Sequence, residues 1–110
     1  MGLIVIGAKM PVMTPSAFKR SLANKIPPAG ASAALAALWW AGKDDWNKAH
    51  KIVMDEGGQD CAWVHAYLHR VEGDLDNACY WYRRARRKPA IGTIDAEWND
   101  IAAALLQSRP

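Results

Sequence analysis

The sequence predicts an all-α fold, and three features of its 110 residues lead to that prediction. Apolar residues recur at helical spacing near the C-terminus, where Trp98, Ile101 and Leu105 form one stripe. Alanine and leucine, both strong helix formers, dominate residues 33–41. Glycine and proline fall mainly between such segments. We expect about five helices, arranged as two stacked antiparallel helical hairpins with a C-terminal capping helix.

Residues 1–13 are apolar and precede the predicted helical domain, which spans residues 14–110. They lack the basic start of a signal peptide, and Lys9 interrupts them. We interpret residues 1–13 as a frayed apolar tail, with a short strand or an arm onto a partner subunit as alternatives. The domain then begins at Thr14-Pro15, because threonine caps helices and proline fits the first helical position. A short helix is expected to follow over residues 16–24.

The first hairpin is predicted over residues 32–58. Ser32 caps its first helix, and a turn follows at residues 42–45. The second helix begins at Trp46 and stops before the glycine pair at residues 57–58.

The second hairpin is predicted over residues 61–88, with a turn at residues 72–74 and a stop at Pro89. Placing Asp45 on Asp74 aligns the two hairpins and indicates a weak internal repeat. Because the glycines of the two turns do not coincide in this alignment, we expect the turns to differ.

The second hairpin carries a family pattern in its turn and second helix. The residues that carry it are Gly73, Asp74, Leu75, Ala78, Tyr82, Ala85 and Pro89. This pattern resembles the second half of a tetratricopeptide or Sel1-like repeat, which implies stacked helical hairpins. The longer string WVHAYLHRVEGDLDNACYWYRRA resembles an uncharacterised family of small bacterial and fungal proteins. That second resemblance implies no activity.

Composition narrows the classes of function. The formal charge of +3 is too small to imply nucleic-acid binding without a patterned patch, so nucleic acid is not an expected partner. The basic residues at positions 83–88 lie at a helix C-terminus, where the helix dipole favours them. Cys61 and Cys79 do not make a disulfide framework and their spacing fits no CxxC pair, so we expect reduced thiols in a cytoplasmic protein. No stretch reaches the roughly 20 apolar residues that span a membrane.

The candidate site is a polar strip on the first helix of the second hairpin. His65 and His69 are one helical turn apart, between an arc of large apolar residues and an arc of alanines. His50 lies inside the apolar arc of the preceding unit. All three histidines are therefore expected to point into protein, where a buried imidazole must find partners or shift its pKa.

Three uses of this strip are open. The favoured one is a non-catalytic binding or interaction module whose groove takes a protein, a peptide or a small anionic molecule, and which self-associates. The groove residues are His65, His69, Arg70, Glu72, Asn77, Tyr80, Trp81 and Arg84.

The favoured module is expected to need no cofactor, and two alternatives to it remain. One is a small enzyme that pairs a histidine with an acidic residue. The other is a protein that holds zinc or iron through His50, His65 and His69, with Cys61 as a further ligand. An enzyme is the less favoured interpretation, because no serine neighbours the histidines and a buried cysteine is usually inert.

Overall fold

The computed structural model describes residues 12–107, and all regular structure within that range is helical. The elements in order are α1 (Pro15–Arg20), a 3₁₀ turn (Ser21–Ala23), α2 (Ala33–Gly42), α3 (Trp46–Asp55), α4 (Gln59–Val71), α5 (Leu75–Ala85) and α6 (Ile94–Gln107). The all-α prediction is confirmed, with six α-helices in the described range where about five were expected. None of these helices combines the length and apolarity needed to cross a bilayer. The predicted tail at residues 1–13 lies almost wholly outside the described residues.

The first helix starts where the sequence predicts. The Thr14 side chain accepts a hydrogen bond of 3.0 Å from the Ala17 N–H and so caps α1. The helix changes to the 3₁₀ turn Ser21–Ala23 where continuous α-helix was expected. Phe18 is fully buried and stacks on Trp98 with ring centroids 5.7 Å apart, which docks α1 against α6.

The two hairpin turns have the same geometry, so the prediction that they differ is wrong. Asp44 and Gly73, which occupy matching positions when Asp45 is placed on Asp74, both adopt the left-handed conformation, with φ of 61° and 86°. The following residues, Asp45 and Asp74, both accept a side-chain hydrogen bond from the N–H three residues further on. The glycines fail to align because Asp44 takes the left-handed position, which aspartate tolerates better than most residues.

Helix α4 lies at the centre of the molecule. It packs against α2, α3, α5 and α6, and residues 61–69 are buried without interruption. Alanines such as Ala49, Ala66 and Ala78 are fully or almost fully buried in α4 and the helices around it. Because α4 is enclosed on all sides, its polar side chains must find partners inside the protein.

The last helix covers the core as predicted. Trp98, Ile101 and Leu105 are all buried, and the Trp98 indole N–H donates a 2.8 Å hydrogen bond to the Leu38 carbonyl oxygen of α2. A methyl group on Gly42 would lie 3.0 Å from the Leu22 side chain and 3.1 Å from Trp98. The end of α2 therefore approaches α6 closely enough that the position favours glycine.

Candidate metal centre

Three imidazole rings converge where α3 meets α4. His50 projects from α3, and His65 and His69 project from successive turns of α4. The ring centroids are 4.8 Å apart for His65 and His69, 4.8 Å for His50 and His65, and 5.3 Å for His50 and His69. His65 is 2% exposed and His69 is 6% exposed, while His50 is half-buried. The cluster is thus enclosed on the α4 side and approachable at His50.

The ring nitrogens are spaced for a shared ion. One nitrogen from each of the three histidines lies within 4.8 Å of the others, and the Nε2 atoms of His50 and His65 are 3.1 Å apart. Tetrahedral zinc with bonds of about 2.0–2.1 Å places its ligand atoms roughly 3.3 Å apart. The Nε2 atoms of His50 and His65 are already close to this spacing. The ligand nitrogen of His69 would need to move by no more than about 1.5 Å to reach it.

Glu72 orients the third ring. The Nδ1 atom of His69 lies 2.5 Å from the Glu72 carboxylate oxygen Oε1, one turn further along the chain. When a carboxylate accepts a hydrogen bond from the Nδ1–H group, the lone pair of the neutral ring is on Nε2. A histidine that binds a metal ion through one ring nitrogen usually has its other nitrogen held in this way. His69, Glu72 and Asp74 also bring ligand atoms within 4.8 Å of one another, but the Asp74 side chain is engaged in capping α5.

Two indole rings hold the cluster from either side. Trp46 stacks on His50 with centroids 4.5 Å apart, and Trp81 of α5 stacks on His65 at 3.9 Å. Trp46 is itself fixed, because its indole N–H donates a 2.7 Å hydrogen bond to the Leu68 carbonyl oxygen. These contacts restrict ring rotation, so the three imidazoles are preorganised.

The surroundings keep the His65 and His50 rings uncharged. Burial lowers the pKa of His65 to about 4, with further lowering by the neighbouring His69 and His50. Burial and His69 also lower the pKa of His50, against an opposing effect of Glu72. The His65 and His50 rings are therefore neutral at pH 7, which is the form that binds metal ions.

One buried nitrogen remains without a partner. The Nδ1 atom of His65 makes no hydrogen bond to any of residues 12–107 and is inaccessible to solvent. Such an atom costs about 1–3 kcal/mol of stability relative to a satisfied one. An apolar side chain would avoid that cost, so the imidazole at this position is not explained by packing alone.

The residues predicted to share one groove separate into two groups. His65, His69, Glu72 and Trp81 belong to the cluster. Arg70 points elsewhere and forms a 3.0 Å ion pair with Glu97 of α6.

The remaining predicted residues lie on α5, beside the cluster. Tyr80 is 45% exposed, and the exposed Arg84 guanidinium lies 5.7 Å from the Tyr80 ring centroid and 5.5 Å from that of Trp81. Asn77 is half-buried, and its backbone N–H bonds to Asp74.

Sequence reasoning did not identify two contributors. Trp46 lies four residues before His50, a spacing that places both on one face of α3 and could have indicated the stacking. Glu97 is buried between Arg70 and the Tyr82 hydroxyl, which donates to its second oxygen. No local pattern connects Glu97 to residues 15 and 27 positions away.

Comparison of the chain with protein-family models, with curated proteins and with solved structures finds no match in any of the three. The case for function therefore depends on the geometry of the cluster.

Proposed function

We propose that this protein binds a transition-metal ion through His50, His65 and His69. The observation that carries the proposal is the convergence of three ring nitrogens within 4.8 Å of one another. Imidazole donors suit zinc, copper, nickel and iron, and three protein ligands leave a fourth position for water or another small ligand. Zinc is the ion to test first, since it accepts irregular ligand geometry without a preference imposed by d electrons.

The surroundings of the cluster support this function over a structural role. Burying the His65 and His69 imidazoles, with one nitrogen of His65 unpartnered, stabilises the fold less than apolar side chains of the same volume would. The Glu72 contact and the two stacked indoles hold the rings in a fixed relation without metal. Preorganised ligands lower the cost of assembling a site around the ion.

The direct test is titration of the metal-free protein with Zn²⁺ by calorimetry, together with elemental analysis of the purified protein. We expect one ion per chain. A His50→Gln variant should bind at least about 100-fold more weakly while keeping its fold, because His50 is half-buried at the edge of the core. The proposal is wrong if His50→Gln and His69→Gln both bind zinc as tightly as the unaltered protein.

The hydrogen bond between Glu72 and His69 can be tested with a matched pair of substitutions. Glu72→Gln should weaken zinc binding by about 10- to 100-fold, since the amide is a poorer acceptor for the His69 proton. Glu56→Gln removes another exposed carboxylate, at the end of α3, and should leave the affinity unchanged. Equal effects of the two substitutions would show that Glu72 acts only through net charge.

The second candidate function is an interaction surface on α5, supported by the exposed Tyr80 and the Arg84 guanidinium over Tyr80 and Trp81. An acidic peptide would match this charge and aromatic area. Titration with a glutamate-rich peptide, read by tryptophan fluorescence, should saturate in the unaltered protein and weaken in Arg84→Ala. If Arg84→Ala makes no difference, the surface has no such role.

Three further features are predictions of the sequence. They are the tetratricopeptide-like or Sel1-like character of the hairpins, self-association, and a cytoplasmic location based on two free cysteines, Cys61 and Cys79. Light scattering coupled to size-exclusion chromatography tests self-association directly.

A further inference from the structure

A second concave site lies apart from the histidine cluster. Residues of α1, the 3₁₀ turn, α2, α3, α4 and α6 line a partly open cavity of about 440 Å³, a volume suited to a small organic molecule. The three histidines are not part of its lining, although Trp46 contributes to both sites. Apolar and aromatic side chains form much of the wall, including Leu22, Val71 and Trp98.

A buried tyrosine whose hydroxyl has no hydrogen-bond partner lines this cavity. Tyr67 is 5% exposed and lines the cavity, yet its hydroxyl makes no hydrogen bond to any of residues 12–107. The oxygen is not sealed from solvent, in contrast to Nδ1 of His65. Burial, followed by the charges of Glu97 and Asp95, raises the pKa of Tyr67 to about 12, so the hydroxyl keeps its proton at neutral pH. The cavity wall thus includes a buried hydroxyl group that a ligand can satisfy.

The charge of the cavity identifies the class of ligand. Asp44 and Asp95 line it, and within the described chain neither carboxylate forms an ion pair or a side-chain hydrogen bond. Asp44, Asp95 and Tyr67 all belong to the lining of this one cavity. Lys19 is the cationic residue of the lining, so two acidic groups oppose one basic group.

Aromatic rings form a further part of the cavity wall. Trp46, Tyr67 and Trp98 supply π faces, which attract organic cations as well as apolar surface. From the unpaired carboxylates, the unpartnered hydroxyl and the aromatic walls together, we infer that this cavity binds a small aromatic amine in its protonated form. The ammonium group faces Asp44 and Asp95, and the ring packs against the indoles and Tyr67. This site does not depend on metal binding.

The test uses 2-phenylethylamine and tryptamine as probes, with 2-phenylethanol and 3-phenylpropanoate as matched neutral and anionic controls. Each is titrated into the full chain, with a chelator present, and followed by heteronuclear NMR. We expect saturable shifts around Tyr67 and Trp98 for the amines and at least about tenfold weaker binding of the alcohol. Equal or tighter binding of the propanoate, or no saturable binding of either amine up to roughly 10 mM, would overturn the inference.

Variants separate this site from a general affinity for amines. Asp44→Asn and Asp95→Asn should each weaken amine binding at least fivefold, and asparagine tolerates the left-handed conformation of residue 44. Tyr67→Phe should also weaken binding while keeping the fold, because its hydroxyl has no partner to lose. Asp76→Asn, on the exposed side of α5, is the control and should bind unchanged. If the Asp44, Asp95 and Tyr67 variants all match that control, the cavity is not the binding site.

His50→Gln distinguishes the two proposals. It should abolish zinc binding and leave amine binding intact, because His50 does not line the cavity. Loss of both in a variant that remains folded would contradict the independence of the two sites.

Discussion

The two helical hairpins share a backbone plan but carry different side chains. Their turns have a left-handed residue and an aspartate cap at matching positions, Asp44-Asp45 in the first and Gly73-Asp74 in the second. Yet the positions of His65 and His69 in the second hairpin correspond to Ala36 and Trp40 in the first. The difference shows that the turn sets the hairpin geometry, while the residues facing the seam between hairpins decide whether a site forms there.

The hairpins are also anchored in different ways. In the first, the Trp39 indole N–H donates a 3.0 Å hydrogen bond to the Ser21 hydroxyl. In the second, Arg70 of α4 pairs with the buried Glu97 of α6, which also accepts from the Tyr82 hydroxyl. A buried ion pair is costly to break on one side only, whereas a neutral hydrogen bond contributes about 1 kcal/mol.

The largest expected effect therefore comes from Glu97. Glu97→Ala should lower the free energy of unfolding by about 3–5 kcal/mol, since it removes the carboxylate that pairs with Arg70 and leaves the buried Tyr82 hydroxyl without its acceptor. Arg70 then keeps only the backbone carbonyl oxygens of Gly92 and Thr93 as acceptors. Urea denaturation measures the loss. Asp55→Ala, which breaks the exposed ion pair with Lys51, serves as the control and should cost less than about 0.5 kcal/mol. Similar losses in the two variants would show that burial does not strengthen the Arg70–Glu97 pair relative to an exposed ion pair.

The second largest expected effect is a loss of folding stability at low pH, caused by His65. Its folded pKa of about 4 lies below the reference value of 6.5, so above pH 6.5 the ring is neutral in both states and adds no pH dependence. Between pH 6.5 and pH 4 only the unfolded chain binds the proton. Stability should fall as the pH falls, by up to about 3 kcal/mol over this window.

A His65→Leu variant isolates that contribution. Leucine has a similar volume and no proton to bind, so metal-free His65→Leu should lose less stability than the unaltered protein when the pH is lowered from 7 to 4.5. Thermal unfolding at the two pH values gives the comparison. Parallel pH profiles for the two proteins would show that the imidazole is not held in its neutral form.

The smallest effect tests the shared turn. Gly73→Ala forces an alanine into the left-handed conformation and should destabilise the protein by about 1–2 kcal/mol. Gly57→Ala is the matched control, because Gly57 does not have a positive φ and a methyl group there meets nothing within 4 Å. If the denaturant midpoints of the two variants fall equally, the left-handed conformation shared by residues 44 and 73 is not what the turn requires.

Local signals explain why much of the fold follows from the sequence. The caps at Thr14 and Ser32 and the apolar stripe of α6 act within a turn or two of the chain, and the structure confirms them. The turn comparison failed because the sequence shows a glycine at position 73 and an aspartate at position 44, and the left-handed conformation does not require glycine. Residue identity is an incomplete guide wherever two residue types accept the same backbone angles.

The candidate site was only partly predictable for a related reason. Helical periodicity places His65 and His69 on one face, and it turns His50 towards protein. It does not specify that α3 crosses α4 at the height where the His50 and His65 nitrogens lie 3.1 Å apart. Periodicity also led us to assign Arg70 to the predicted groove. In the structure this side chain turns to Glu97 instead, because a long flexible side chain takes whichever partner the packing offers.

The sequence by itself determined the helices, their caps and the inward direction of the three histidines, since these depend on short-range sterics, hydrogen bonds and the period of apolar residues. Only the tertiary structure decided which imidazoles meet, that Trp46 and Trp81 enclose them, and that Tyr67 faces a cavity with two unpaired carboxylates. Those outcomes depend on the relative placement of helices, which close packing over the whole core sets and no local segment encodes.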